Sequence, residues 1–112
     1  MSVVSVVDDL DSSRYLRIYD SVMSELYTRH CLGLIIDLTQ VTFCGACGLS
    51  CLIQAHDTAY HLGVELRLAA QPSAALMSIW RLRDLRDTLT IVPTVADART
   101  SIRAAHGAYA VR

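Results

Sequence analysis

Lysine is missing from this sequence: all ten basic residues are arginine, set against eleven acidic ones for a formal net charge of −1. Without lysine the phosphate-binding loop G-x-x-x-x-G-K-[ST] cannot be built, and no G-x-G-x-x-G follows a strand-like run. A balance so close to neutral supplies no basic field for nucleic acid or for an anionic membrane surface. The exclusive use of arginine reads as composition bias and carries no function. Long apolar runs are also lacking; none approaches the roughly 20 residues needed to cross a bilayer. Met1-Ser2-Val3 opens directly into a strand-like run with no basic segment ahead of it, so no signal peptide is expected and the chain is read as cytoplasmic. Four cysteines, Cys31, Cys44, Cys47 and Cys51, are therefore expected to be reduced thiols rather than a disulfide framework. What remains is 112 residues, 53% hydrophobic and 19% charged, which suits one domain over residues 1–112 with a single core. No internal repeat, low-complexity tract or interdomain linker interrupts it.

The chain is organised around residues 33–52, GLIIDLTQVTFCGACGLSCL. Leu34-Ile35-Ile36, bounded by Gly33 and Asp37, reads as a strand buried on both faces of a parallel sheet. Val41 and Phe43 re-enter the core after a polar crossing at Thr39 and Gln40. Gly45 and Gly48 then frame a tight turn, from which Leu49, Leu52, Ile53, His56 and Tyr60 recur at helical spacing. A strand–loop–helix unit of this kind is where α/β proteins place their chemistry, because the first N–H groups of the helix are unpaired.

Either side of that unit, Val3–Val7 is a β-branched strand halted by Asp8-Asp9. Asp11-Ser12-Ser13 offers caps for a helix carrying Tyr15, Ile18, Tyr19, Val22, Met23 and Leu26, which ends near His30. Gly63 closes the second helix, and Val64–Ala69 alternates Glu65 and Arg67 with Val64, Leu66 and Leu68. Ser73 caps a short helix through Leu76, Ile79 and Trp80, the segment 81–87 forms a polar bend, and Leu89–Val92 is a short strand. Pro93-Thr94 starts a last helix through Val95, Ala98 and Ile102, with Gly107 near its end. The order β-α-β-α-β-α-β-α predicts an α/β domain with a mostly parallel four-stranded sheet and four helices.

Few residues are arranged for catalysis. His56 and His61 share a predicted helix but are five apart, which is wrong for one face, and His30 and His106 lie on other elements, so no metal set is expected. Ser12, Ser50, Ser73 and Ser78 lack a base with an orienting acid. No cofactor is implied. Trp80 falls on an inward helical stripe and reads as core.

Cys44-Gly45-Ala46-Cys47 is the sharpest local signal. A C-x-x-C where a strand turns into a helix resembles thioredoxin-like redox sites, because the helix dipole and free N–H groups stabilise a thiolate there. Val92-Pro93-Thr94 is similar to the proline those proteins set near their cysteines. Here, however, Val95-Ala96-Asp97-Ala98-Arg99 runs straight into helix-forming sequence, and Phe43 stands where thioredoxins carry Trp.

A second resemblance covers roughly residues 3–104. Asp37–Leu49, DLTQVTFCGACGL, is similar to the signature of STAS domains of the anti-sigma-factor antagonist family: D-L-S-x-V-x-F, an apolar residue, then D-S-[ST]-G-L at a helix start. Asp8-Asp9-Leu10-Asp11 resembles that family's G-E-L-D, Gly63–Leu68 its next strand, and residues 89–98, LTIVPTVADA, its closing strand and helix. The resemblance implies a non-enzymatic protein that binds a kinase-type anti-sigma factor in a partner-switching pathway controlling transcription. Its docking surface would comprise Asp11, Ser12, Phe43, Cys44, Gly45, Ala46, Cys47, Gly48 and Leu49. In such antagonists the Ser of D-S-[ST]-G is phosphorylated by the anti-sigma factor, and the phosphate breaks the complex.

This chain departs from that pattern where the switch would sit. Gly45 stands at the Asp position, Cys47 at the [ST], and Ala46 at the phosphorylated Ser, where it offers no hydroxyl. The thiols of Cys44 and Cys47 on the same loop are the expected replacement, since oxidised sulfur there would alter the docking surface. The family also places a strand ahead of the one matched to Val3–Val7; its absence would leave a sheet edge open, and a homodimer is expected through it. Two other readings stay open: a thioredoxin-like thiol protein using Cys44 and Cys47, and a ligand-binding or scaffold STAS module.

Overall fold

The computed structural model describes residues 2–6, 15–28, 33–41, 46–71 and 89–110. Their elements run β1 (Ser2–Ser5), α1 (Tyr15–Leu26), β2 (Gly33–Asp37), α2 (Ala46–Leu62), β3 (Glu65–Ala69), β4 (Ile91–Val92) and α3 (Val95–Ala110). The four strands form one sheet in the order β1-β2-β3-β4, with every neighbouring pair parallel. The expected parallel sheet is therefore present. The described residues hold three helices; the short helix predicted from Ser73 to Trp80 lies outside them.

In a parallel sheet, residues in register share a face. Val4, Ile36 and Leu68 therefore point one way, and Val3, Ile35 and Arg67 the other. The first set meets α1 and α2 in the main core: Leu34, Ile36, Leu66 and Leu68 pack with Val22 and Leu26 of α1 and with Leu52, Ala55 and Ala59 of α2. The second face carries a smaller core in which Ile35 packs with Ala98 and Ile102 of α3, flanked by Val92 and Val95. Leu34, Ile35 and Ile36 have no exposed surface at all, as a strand covered on both sides requires.

The buried stripe of α2 differs from the one read from apolar spacing. Leu49, Leu52, Ala55 and Ala59 face the sheet, while His56 is half-buried and Tyr60 is 77% exposed. Two alanines let the helix lie close to the strands, and that rotation carries the bulky Tyr60 outward. The helix also begins earlier than expected. Its first residue is Ala46, so Gly48 sits within the first turn rather than ahead of it. The outer strands shift as well, with β1 ending at Ser5 and β4 reduced to Ile91–Val92.

Glycine, arginine and threonine fix the remaining joints. Gly63 adopts φ 70°, its N–H donates to the Tyr60 carbonyl at 3.3 Å, and the Val64 N–H donates to the Ala59 carbonyl at 2.9 Å. These two bonds make the Schellman ending of α2, and the apolar pair Ala59 and Val64 closes it. Thr94 caps α3, its Oγ1 accepting the Asp97 N–H at 3.1 Å. The guanidinium of Arg67 fastens α3 across the sheet: Nε donates to Ser101 Oγ at 2.9 Å, and Nη1 donates to Glu65 Oε2 at 3.1 Å and to the Leu66 carbonyl at 2.9 Å.

Gly33 is required by close approach instead of by its backbone angle. A Cβ there would lie 2.8 Å from Cγ2 of Ile102. Gly33→Ala should therefore cost about 1–3 kcal/mol in chemical denaturation, as overpacking does, and Ile102→Ala in the same chain should show non-additive coupling with it. Gly63→Ala meets nothing within 4 Å; its expected cost of about 1–2 kcal/mol is purely that of the left-handed backbone, with no coupling to Ile102. Additive behaviour of the Gly33–Ile102 pair would contradict the notch.

Candidate docking surface

Each strand of a parallel α/β unit ends where the following helix begins, so the C-terminal ends of β2, β3 and β4 and the N-terminal ends of α2 and α3 lie at one end of the sheet. The described parts of the sequence motif, residues 37–41 and the first turn of α2, lie at that end. Asp37 closes β2 and turns its carboxylate onto the chain just after it. Oδ1 accepts the Thr39 N–H at 3.0 Å and the Thr39 hydroxyl at 2.6 Å, the pattern of an Asx turn. The Val41 N–H then donates to the Leu38 carbonyl at 3.0 Å, which bends residues 38–41 back over the sheet.

Apolar anchors hold this turn down. Leu38 is 2% exposed and Val41 9%, and both belong to the main core. Ladder bonding continues past the strand ends: the Val6 N–H donates to Asp37, Leu38 to Ala69, and Ala70 to Val92, tying the four strands together directly beneath the surface. Gln71 braces the turn from β3, its Nε2 donating to the Thr39 carbonyl at 3.4 Å. Gln40, Ser50, Gln71, Pro93 and Thr94 are exposed around it.

Of the residues expected at the surface, Ala46 and Cys47 open α2, and Gly48 and Leu49 follow in its first turn, both buried. Leu49, 5% exposed, anchors the helix start in the core. Asp11, Ser12, Phe43, Cys44 and Gly45 lie outside the described residues. Cys51, one turn beyond Cys47, is a buried thiol at 3% exposure. Among the described residues no cluster of His, Cys, Asp or Glu could hold a metal ion, and no helix is long and apolar enough to cross a membrane.

Two features escaped the sequence reading. Asp37 is a turn-former as well as the end of a strand; a carboxylate two residues before Thr39 was the available signal. At the opposite end of the sheet, a cavity of about 510 Å³ lies between the end of α2 and the start of β3, lined by His56, Tyr60, Val64, Glu65, Leu66 and Thr90 among others. Nothing in the spacing of these residues marked it.

The family model for the STAS domain matches residues 1–98. Among solved structures, an anti-sigma factor antagonist from Mycobacterium paratuberculosis is similar to this chain at 28% identity and a TM-score of 0.75, covering 90% of this chain and 84% of that one. A proposed anti-sigma factor antagonist from Thermotoga maritima has 15% identity and a TM-score of 0.73, with 90% and 87% covered. The STAS domain of a SulP transporter from Vibrio cholerae has 14% identity and a TM-score of 0.63, with 99% and 84% covered. The last two likenesses concern the fold alone. No curated protein sequence matches.

Removing the Asp37 carboxylate should loosen the turn on which the surface is built. Asp37→Ala is expected to lose about 1–3 kcal/mol of stability, since both bonds it accepts involve a charged acceptor. Asp37→Asn, which keeps an acceptor oxygen, should lose less. Equal denaturation midpoints for Asp37→Ala and the unmodified chain would contradict the turn.

Proposed function

This chain belongs to the STAS domain family, and on that premise we propose that it is an anti-sigma-factor antagonist acting in the cytoplasm, which binds a kinase-type anti-sigma factor and thereby controls transcription. It works by docking and not by catalysis. The observation that carries this reading is the likeness, over 90% of the chain, to an anti-sigma factor antagonist at 28% identity and a TM-score of 0.75. The docking surface comprises residues 37–41, the exposed face of α2 at Ser50, and, by the family signature, Asp11, Ser12, Phe43, Cys44, Gly45, Ala46 and Cys47. Gly48 and Leu49 support this surface from below, and the protein is a homodimer.

The phosphorylation switch is absent from its usual position. Ala46, the first residue of α2, carries only a methyl group where the family's acceptor carries a hydroxyl. A phosphate adds nearly two negative charges and breaks a docked surface by repulsion and desolvation; an alanine cannot receive it. Control passes instead to the thiol of Cys47. Its place in the first turn of α2 favours thiolate, the form that oxidants attack, and Cys44 is the thiol positioned in sequence to resolve a sulfenate as a disulfide. Cys51 is unsuited to that role because it is buried in the core.

A second reading, a STAS module that binds a small ligand, is favoured by the 510 Å³ cavity, whose volume falls in the range of small-molecule sites. The thioredoxin-like reading gains no comparable support.

Incubation with a kinase-type anti-sigma factor and ATP should leave residues 45–48 without phosphate by mass spectrometry. Phosphate found there would overturn the account, and phosphate on the exposed Ser50 would show an acceptor moved by one helical turn. For the thiol, affinity should fall after mild peroxide treatment of the unmodified protein and stay constant in Cys47→Ser. Equal affinity in all four titrations would remove Cys47 from the control of binding.

A further inference from the structure

We propose that α3 is a releasable cover, which leaves the sheet as one unit while α1, α2 and the four strands stay folded, and so uncovers an apolar face around Ile35. The proposal concerns the fold itself and stands whether or not the docking reading holds.

The two faces of the sheet are held by unequal means. On one face α1 and α2 send Val22, Leu26, Leu49 and Leu52 into the core, none more than 5% exposed. α3 has no such stripe. Between residues 95 and 105 only Ala98 and Ile102 are buried, while Val95, Ser101 and Ala105 are half-buried. One large aliphatic side chain, Ile102, therefore carries most of the apolar contact, seated against the bare backbone of Gly33. Because burial free energy scales with the apolar area removed from water, α3 gains far less from the sheet than α1 and α2 gain together.

Lifting α3 also leaves little unsatisfied behind it. Two of the bonds that Arg67 donates, to Glu65 and to the Leu66 carbonyl, stay within β3, and a third, to Ser101 Oγ, crosses to α3. The side chains of Arg67 and Glu65 are 13% and 26% exposed, so water replaces the bond that breaks. The strand ladder takes nothing from α3: the Val6 N–H donates to Asp37, Leu38 to Ala69, Leu68 to Thr90 and Ala70 to Val92. The open state is thus a four-stranded sheet still covered on its α1/α2 face, with Ile35, Val92 and Gly33 turned to water. Once released, α3 unwinds, since Thr100, Ser101 and Gly107 are poor helix formers and a helix of 16 residues is marginal without packing. Its amides then exchange with solvent together, as those of a separately opening unit do.

Native-state amide exchange, followed residue by residue by NMR on the full chain at rising sub-denaturing urea, tests this with a matched pair of variants. Ile102→Val and Ile36→Val delete the same methyl from fully buried side chains on opposite faces of the sheet, and both changes are small enough to keep the fold. In the unmodified chain the amides of α3 should share one opening free energy, below that of β2 and β3 and with a shallower urea dependence, because less surface is exposed. Ile102→Val and Ser101→Ala should each speed α3 exchange roughly three- to tenfold. Ile36→Val should speed exchange in β2 and β3 by a similar factor and leave α3 unchanged, since Ile36 stays buried when α3 lifts. Equal acceleration of α3 by Ile36→Val would show that α3 opens only with the whole domain, and would overturn the proposal. So would α3 amides that exchange one by one from the C-terminal end and ignore Ser101→Ala, which is the behaviour of a fraying helix.

Discussion

Leu34, Ile35 and Ile36 are withdrawn from water on both faces of β2, and every other element takes its position from theirs. Burying each contributes about 2 kcal/mol. Their directions matter more than their sum. Leu34 and Ile36 receive α1 and α2, while Ile35 receives α3 through Ala98 and Ile102, against a backbone left bare at Gly33. Shifting β2 by one residue would exchange these faces, put Asp37 or Gly33 into the wrong layer, and unseat three helices at once. The strand is thus the register mark of the fold, and its last residue, Asp37, passes that register on to the turn that starts the candidate docking surface.

Two cores of different character follow from this arrangement. The α1/α2 side is almost wholly aliphatic, as expected of a face that contributes most of the burial energy. On the α3 side β3 contributes Glu65 and Arg67, so α3 is held by a few apolar contacts and a polar fastening to Ser101. α3 covers β2 to β4 without sealing β1, and Val3 is left partly exposed on that same face. The exposure of that valine follows from where α3 sits.

Most of this architecture was legible in the sequence because it is written in short-range rules. The apolar run Leu34–Ile36 required two covered faces, the alternation of Glu65 and Arg67 with Leu66 and Leu68 announced two unlike layers, and Gly63 and Thr94 marked a helix end and a helix start. The misreadings share a cause. Counting apolar residues placed Tyr60 on the inner stripe of α2, whereas Ala55 and Ala59 hold that stripe because small side chains allow close approach, which hydrophobicity alone does not register. Gly45 and Gly48 read as the two sides of a turn, but helical hydrogen bonding already begins at Ala46. The role of Asp37 within the turn and the cavity beside Tyr60 depend on positions in space that no spacing rule encodes. The candidate site was legible only through its resemblance to a family signature, and the departure at Ala46 stood out against that signature alone.

The central claim is that this chain docks an anti-sigma factor without the phosphate that would release it. The most direct test is calorimetric titration of the reduced protein into a kinase-type anti-sigma factor from the same cell, with and without Mg-ATP held long enough for many turnovers. The account predicts a saturable one-site complex whose affinity and lifetime are the same in both. No binding under either condition, or a complex that ATP dissolves, would contradict it.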